Sequence, residues 1–491
     1  MNARERQLLR QVNGVLLPGF HGTEPPAWLL RAIDDGLAGV VYFAHNVPDL
    51  ATAAALSGLL HGRRGDLIIA GDEEGGDVTR IEAAQGSSYP GNGALGQVDD
   101  PALTERLARG MGRDLRLAGI GLNLAPDADV NADPDNPVIG VRAFGAHAPM
   151  VARHTAAYVT GLQSAGVAAC TKHFPGHGDT TVDSHLDLPQ VDAGLGLLRR
   201  RDLLPFAAAI DAGTRCLMTA HIRVPALGDA PASLNPEVTR LAREELGFTG
   251  AIVTDALDMG AVARDPGFGP ACVQAVSAGA DLLCLGNPVG SDDEAAYLTA
   301  RDALLDAVSS GRLPTARLAD AARRAGELAE WIGRARTVEV PQDERDMALS
   351  VARAALSVRG DVRLTSAPHV VDLRQRINHA AGRHAPHVQK LLARALPGLS
   401  ATGSPPPGPT VQRADSALRG AQGRPLVVIS RDPHRDGGDM PLLAELVRRR
   451  PDAVVVLTGW PHEVESLARN TVVTYGSGRV NAQATVERLV G

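Results

Sequence analysis

The stretch KHFPGHGDTTVDSHLDLP, residues 172–189, concentrates side chains that can move protons: three His, three Asp and a Lys fall between Lys172 and Asp187. Gly, Pro, Asp and Thr dominate it, so it reads as a loop following the apolar run Val167 to Lys172. Three chemistries suit these residue types. One is a solvated turn in which Asp and Gly only shape the backbone. Another is a metal site drawn from His173, His177, Asp183 and His185. The usual H-x-x-x-H pairing of ligands needs a helix, however, and Pro175 with two glycines excludes one here. The third is an Asp-x-His dyad. In an extended D-S-H segment Asp183 and His185 point to the same side, so the carboxylate can orient one ring nitrogen and leave the other to transfer a proton near neutral pH.

Two further carboxylates follow apolar runs. Asp255 ends AIVT and has the chemistry to attack an anomeric carbon. It equally suits the N-cap of a helix over ALDMGAVAR, with Asp258 one turn on as a surface or secondary contact. Asp72 opens DEEGGDVTR after LIIAG, where it can accept hydrogen bonds from sugar hydroxyls or pair with Arg80. Arg142, Lys172 and His173 are candidates to bind hydroxyl or amide oxygens, and each also suits a structural charge.

These residues need elements that bring them together. Eight short β-branched-rich runs alternate with helical patterns up to about residue 335: Gly14 to Leu17, Gly39 to Phe43, Leu67 to Gly71, Leu122 to Leu124, Val167 to Lys172, Cys216 to Ala220, Ala251 to Thr254 and Asp281 to Leu285. Helices are expected at Ala148 to Ser164, Gly194 to Ala212, Asn235 to Leu246 and Ser291 to Ser310. Eight βα units predict a TIM-like (β/α)8 barrel, whose functional groups sit at the C-terminal strand ends. The polar residues do fall there, among them His45, Asn46, Asp72, the run from Asp127 to Asn131, Lys172, His221 and Asp255.

The predicted organisation is a catalytic barrel over residues 1–335, a connector and helix over 336–358, and a smaller doubly wound α/β domain over 359–491. The last has strands at His369 to Leu373, Pro425 to Ser430, Ala453 to Thr458 and Thr471 to Tyr475, with 401–411 read as a loop. The chain has 491 residues, 44% hydrophobic and 21% charged, and a formal net charge of -7. That balance argues against nucleic-acid or anionic-membrane surfaces and favours a small neutral substrate. The first residues carry both signs of charge and no run is apolar enough to cross a bilayer, so a cytoplasmic location is expected. Four cysteines without C-x-x-C spacing read as buried free thiols.

Taken together the motifs resemble glycoside hydrolase family 3, in its β-N-acetylglucosaminidase branch. GDEEGGDVTR, NLAPDADVN, NPVIGVRAFG, KHFPGHGDTTVDSHLDLP and AIVTDALDMGA follow that branch in order. The resemblance implies a retaining hydrolase that needs no metal or other cofactor. In it Asp255 is the nucleophile and His185 the acid/base held by Asp183, while Asp72, Arg142, Lys172, His173 and His221 form the N-acetylhexosamine pocket. It leaves open phosphorolysis, with phosphate as acceptor and β-N-acetylglucosaminides or β-glucosides as donors, and a non-catalytic carbohydrate-binding role. Its sugar substrates suggest cell-wall recycling. Two departures, Glu73 for a common Gln and Asp77 for a frequent basic residue, are expected to add negative charge beside Asp72. The segment YGSGRVNAQA resembles second domains of longer relatives.

Overall fold

The computed structural model describes residues 2–182, 184, 187–334, 343–374, 385–435, 439–461 and 464–491. Eight short strands, each followed by helix or loop, make the first unit: β1 (Leu16–Leu17), β2 (Gly39–Tyr42), β3 (Ile68–Gly71), β4 (Leu122–Asn123), β5 (Ala168–Phe174), β6 (Cys216–Thr219), β7 (Ala251–Thr254) and β8 (Leu283–Cys284). Strands β2 to β7 form one continuous parallel ladder, and β1 pairs in parallel with β8. The remaining seams close through the Val41 amide on the Pro18 carbonyl and a parallel bridge between Val253 and Leu282. The result is a closed barrel, as the strand count predicts.

Side-chain alternation explains why both faces of these strands are apolar. Val41, Ile68, Ala70, Cys170, Met218 and Val253 pack together inside the barrel, whereas their neighbours Val40, Ile69, Ala169, Leu217 and Ile252 pack outward under the helices. The helix Thr315–Arg334 contributes Ala325, Leu328 and Ile332 to the inner cluster, and Arg324 bonds the Thr249 carbonyl. It therefore stoppers the N-terminal end and leaves the opposite end to the loops. All four cysteines are buried and free. Among the described residues no helix is long and apolar enough to cross a membrane.

The helix Ala148–Ser164 falls where the pattern puts it. The single helix expected from Gly194 to Ala212 is instead two, Leu195–Arg200 and Leu204–Asp211, because Pro205 cannot continue a helix and starts the second one. Residues 336–342 of the expected connector, and the preceding residue 335, lie outside the described residues. Beyond them the helix Asp343–Ala355 buries Ala348, Val351 and Ala352 in the barrel's outer core and Ala355 in the next unit's.

That unit is a sheet of β9 (Ser357–Arg359), β10 (His369–Asp372), β11 (Ser400–Gly403), β12 (Leu426–Ser430), β13 (Val454–Leu457) and β14 (Asn470–Val473). Their order is β9-β14-β13-β12-β10-β11, parallel except for β9. Alternate residues such as Val428 and Val427 enter two separate apolar clusters, so helices cover both faces. The segment expected to be loop from residue 401 begins with β11, whose side chains are largely exposed because it is a sheet edge.

Asp281, just before β8, is fully buried at the stoppered end of the barrel. It accepts from Arg243 and Arg317 at 2.6 Å each and from the Ile252 amide at 2.9 Å. Asp281→Ala would leave those donors without their charge partner, and unfolding in urea should show a loss of about 3 kcal/mol. An unchanged midpoint would contradict this role.

Candidate active site

At the open end of the barrel, the loops after β3, β4 and β5 meet in a buried charge cluster. Lys172 extends its ammonium between two carboxylates, 2.8 Å from Asp72 Oδ1 and 2.7 Å from Glu74 Oε1. Arg142 grips Glu74 as a fork, Nε to Oε2 at 2.9 Å and Nη2 to Oε1 at 2.8 Å. Burial opposes ionisation of both acids, yet Lys172 with Arg80 holds Asp72 below the usual range, and Arg142 with Lys172 holds Glu74 far below it. Lys172 is likewise kept cationic: burial works against it and the two carboxylates prevail. Asp72 also meets Arg80 at 3.2 Å, so hydroxyl binding and the Arg80 pair are compatible uses of its two oxygens.

Beside this cluster stands His173. Its Nδ1 lies 2.7 Å from Asp129 Oδ2, and its Nε2 lies 3.4 Å from Arg142 Nη2. The guanidinium can only donate, so Nε2 accepts and the ring proton sits on Nδ1 facing Asp129. Burial, then Arg142, pushes the ring down to about 4, so it is neutral at neutral pH. Asp127 and Asp129 are fully buried; burial raises both acids, and for Asp127 the neighbouring Asp129 adds to the rise. Donor atoms of Asp127, Asp129 and His173 lie within 4.8 Å of one another, a set that can surround a cation. Arg142, 3.7 Å from Asp127 Oδ2, already brings a fixed positive charge there, which disfavours a metal ion.

Asp255 lies directly after β7, half-buried, with Oδ1 accepting from the Ala256 amide at 2.7 Å. It leaves the C-terminal end of β7, the same end of the barrel at which Asp72 follows β3 and Lys172 nears the end of β5. The helix-cap reading is corrected: the next helical turn starts only at Gly260 with Met259 before it. Asp258 is exposed and bonds the Asn287 amide at 3.0 Å, bracing the loop after β8.

His221 departs from its expected role as a sugar contact. Its Nδ1 meets Ser233 Oγ at 2.7 Å and its Nε2 meets the Ala256 carbonyl at 2.9 Å, so the ring braces the backbone next to Asp255. Glu73 also departs from expectation. It turns back to accept from the amides of Arg80 and Ile81, at 2.8 and 3.2 Å, and burial raises its carboxyl to about 7. Asp77 is bonded by Arg431 and by Ser477 Oγ of the second domain, so its charge is matched there rather than added to the pocket.

Asp183 and His185 lie outside the described residues. Ser184 between them is buried, and its hydroxyl is 3.1 Å from His177 Nε2. Sequence reasoning set Asp127 and Asp129 at a strand end without a role, and it passed over Glu74. A period-two signal could have found them, since Glu74 stands two after Asp72, and Asp129 two after Asp127, just past strand ends.

The buried imidazoles carry a pH consequence. His177 is pushed down to about 3 by burial, from a value near 6.5 in an unfolded chain. Between those values the folded chain binds fewer protons than the unfolded one, so this contribution is complete above pH 6.5 and is lost as pH falls. Urea midpoints should drop on acidification. In His177→Gln, which cannot titrate, the drop from pH 7 to 4 should be smaller by roughly 3 kcal/mol. Parallel curves for the two proteins would contradict the assignment.

Comparison with known proteins agrees with this geometry. The family model described as glycosyl hydrolase family 3 N terminal domain matches residues 29–328. Beta-hexosaminidase A of Pseudoalteromonas piscicida is 38% identical over 274 residues, 51% of this chain but only 46% of that protein, so the match spans less than half of it. The beta-hexosaminidase of Stenotrophomonas maltophilia (strain K279a) is 36% identical over 316 residues, 61% of this chain and 92% of the relative. The solved structure of a glycoside hydrolase family 3 beta-N-acetylglucosaminidase from Paenibacillus sp. str. FPU-7 superposes with a TM-score of 0.86 at 31% identity, covering 99% of this chain and 96% of that one. With the family model spanning more than half of the sequence and the Paenibacillus structure following both its barrel and its second domain, this chain belongs to glycosyl hydrolase family 3.

Proposed function

We propose that the protein is a retaining β-N-acetylhexosaminidase that releases terminal β-linked N-acetylglucosamine. The observation that carries the reading is the placement of Asp255, half-buried directly after β7 at the same end of the barrel as Asp72 after β3 and Lys172 and His173 near the end of β5. Relatives named beta-hexosaminidase and beta-N-acetylglucosaminidase support the same substrate class.

In the first half-reaction an Asp255 oxygen attacks the anomeric carbon while His185 gives its proton to the departing glycosidic oxygen, so the sugar becomes a glycosyl ester of Asp255. Asp183 orients the imidazole and stabilises the cationic form from which the proton is given. In the second, His185 takes a proton from water, the oxygen attacks the anomeric carbon, and the Asp255 ester bond breaks with both side chains returned to their starting states. Asp72 accepts hydrogen bonds from sugar hydroxyls, and Arg142, Lys172 and His173 bind hydroxyl or amide oxygens. His173, its proton committed to Asp129, adds a neutral imidazole edge that leaves the anomeric centre's developing positive charge unopposed. A metal ion has no step to perform.

Purified protein should cleave an aryl β-N-acetylglucosaminide far better than the matching β-glucoside, at the same rate with chelator present. Replacing buffer by phosphate should leave free N-acetylglucosamine as the product; a sugar phosphate would overturn the choice of water as acceptor. Asp255→Asn should lose at least about a thousandfold in kcat. A near-normal rate in that variant would refute the nucleophile assignment.

A further inference from the structure

His177 is a buried side chain that the mechanism above leaves unused, and its hydrogen bonds fix its state. The Thr180 hydroxyl has one proton and donates it to the His177 carbonyl, 3.1 Å away. The same oxygen accepts from Asn136 Nδ2 at 3.2 Å. Thr180 can therefore only accept from His177 Nδ1, 2.9 Å away, which puts the ring proton on Nδ1. Nε2 is left as an acceptor, and its partner at 3.1 Å, Ser184 Oγ, must be the donor.

The ring itself is anchored from both sides. Its backbone amide donates to Asp129 Oδ1 at 2.6 Å, and its carbonyl also accepts from Asn136 Nδ2 at 2.9 Å. Asp129 in turn holds His173. Asn136 belongs to the loop that carries Arg142, and its Oδ1 accepts from the Val138 and Ile139 amides at 3.0 and 2.8 Å. His177 thus relays the geometry of the β4 loop to one atom, the hydroxyl of Ser184. In sequence that residue sits between Asp183 and His185.

We propose that His177 and Ser184 are a positioning pair: the bond from Ser184 Oγ to His177 Nε2 ties Ser184 to the buried cluster, and through the peptide bond that joins Ser184 and His185 it governs how well His185 delivers its proton. The proposal rests on the reading of His185 as the acid/base. Its opposite would be a purely structural bond, whose loss damages every reaction of the site alike. Burial, then His173 and Arg142, outweigh the opposing pull of Asp255 and leave the ring neutral through the working pH range, so it holds position rather than shuttling protons.

The test uses the full chain and aryl N-acetylglucosaminides with good (dinitrophenyl) and poor (phenyl) leaving groups. Ser184→Ala removes only the donor and should fold, as a thermal melt can verify. Its kcat/KM for the phenyl glycoside should fall about tenfold, the worth of one hydrogen bond, while the dinitrophenyl glycoside loses much less because it departs without a proton. Added azide, a nucleophile needing no general base, should restore turnover of the dinitrophenyl substrate and yield glycosyl azide. Ser184→Thr, which keeps the hydroxyl, should recover most of the activity, and His177→Gln should share the leaving-group dependence of Ser184→Ala. Uniform losses without an azide response, or no loss at all in Ser184→Ala, would overturn the positioning role. His185→Ala separates the two readings: a large leaving-group dependence there with none in Ser184→Ala rejects the pair alone, whereas its absence in His185→Ala rejects the acid/base assignment itself.

Discussion

The two carboxylates that share Lys172 set the terms for the open end of the barrel. An ammonium with 3% of its side chain exposed, between Asp72 and Glu74, repays its desolvation only if both acids stay in reach and Glu74 keeps its fork to Arg142. Removing any one charge strands the others in a site that water barely enters, at a cost of about 3 to 5 kcal/mol. Three loops from three strands are therefore locked into one arrangement by a single network. Asp72, whose side chain is 16% exposed against 3% for Glu74, is the more open of the two acids. Rigid positioning of this kind is what a glycosidase needs, because binding contacts that do not relax are available to the distorted sugar of the transition state.

The second domain bears on the same loops. Asp77 follows Glu74 by three residues and is held by Arg431 and Ser477. Arg435 donates to the Pro134 carbonyl at 3.3 Å, in the β4 loop that leads to Arg142. The Val480 amide donates to the Ser87 carbonyl at 3.2 Å. A domain that, among the described residues, places no carboxylate or imidazole in the cluster still grips the two segments that supply Glu74 and Arg142. Asp77 in place of a basic residue makes sense as half of that grip, since a cation would face Arg431.

Much of this was legible in the residues. Runs such as LIIAG and AIVT are apolar on both faces of a strand, as a barrel interior under a helical jacket requires, and eight of them with alternating helices match a closed barrel. Asp72, Lys172, His173 and Asp255 stand out because each polar group interrupts such a run at its C-terminal end. What was hidden was pairing. Nothing in DEEGG says that Glu73 folds back onto its own loop while Glu74 reaches Arg142, because neighbouring carboxylates differ only in the direction the turn gives them. His221 looked like a sugar ligand for the same reason: its partner Ser233 stands 12 residues further along the same βα unit, and the Ala256 carbonyl comes from the next one. The edge strands Ser357–Arg359 and Ser400–Gly403 were invisible because half-exposed strands need no apolar pattern.

The account stands on Asp255 as the atom source of a covalent intermediate facing the buried cluster. A fluorinated N-acetylglucosaminyl fluoride, whose ring fluorine slows release more than formation, should accumulate that intermediate, and peptide mass spectrometry of the digested protein would locate it. The account predicts one sugar attached at Asp255. A label on Asp258 or on another carboxylate, or full turnover with no label on any peptide, would contradict it.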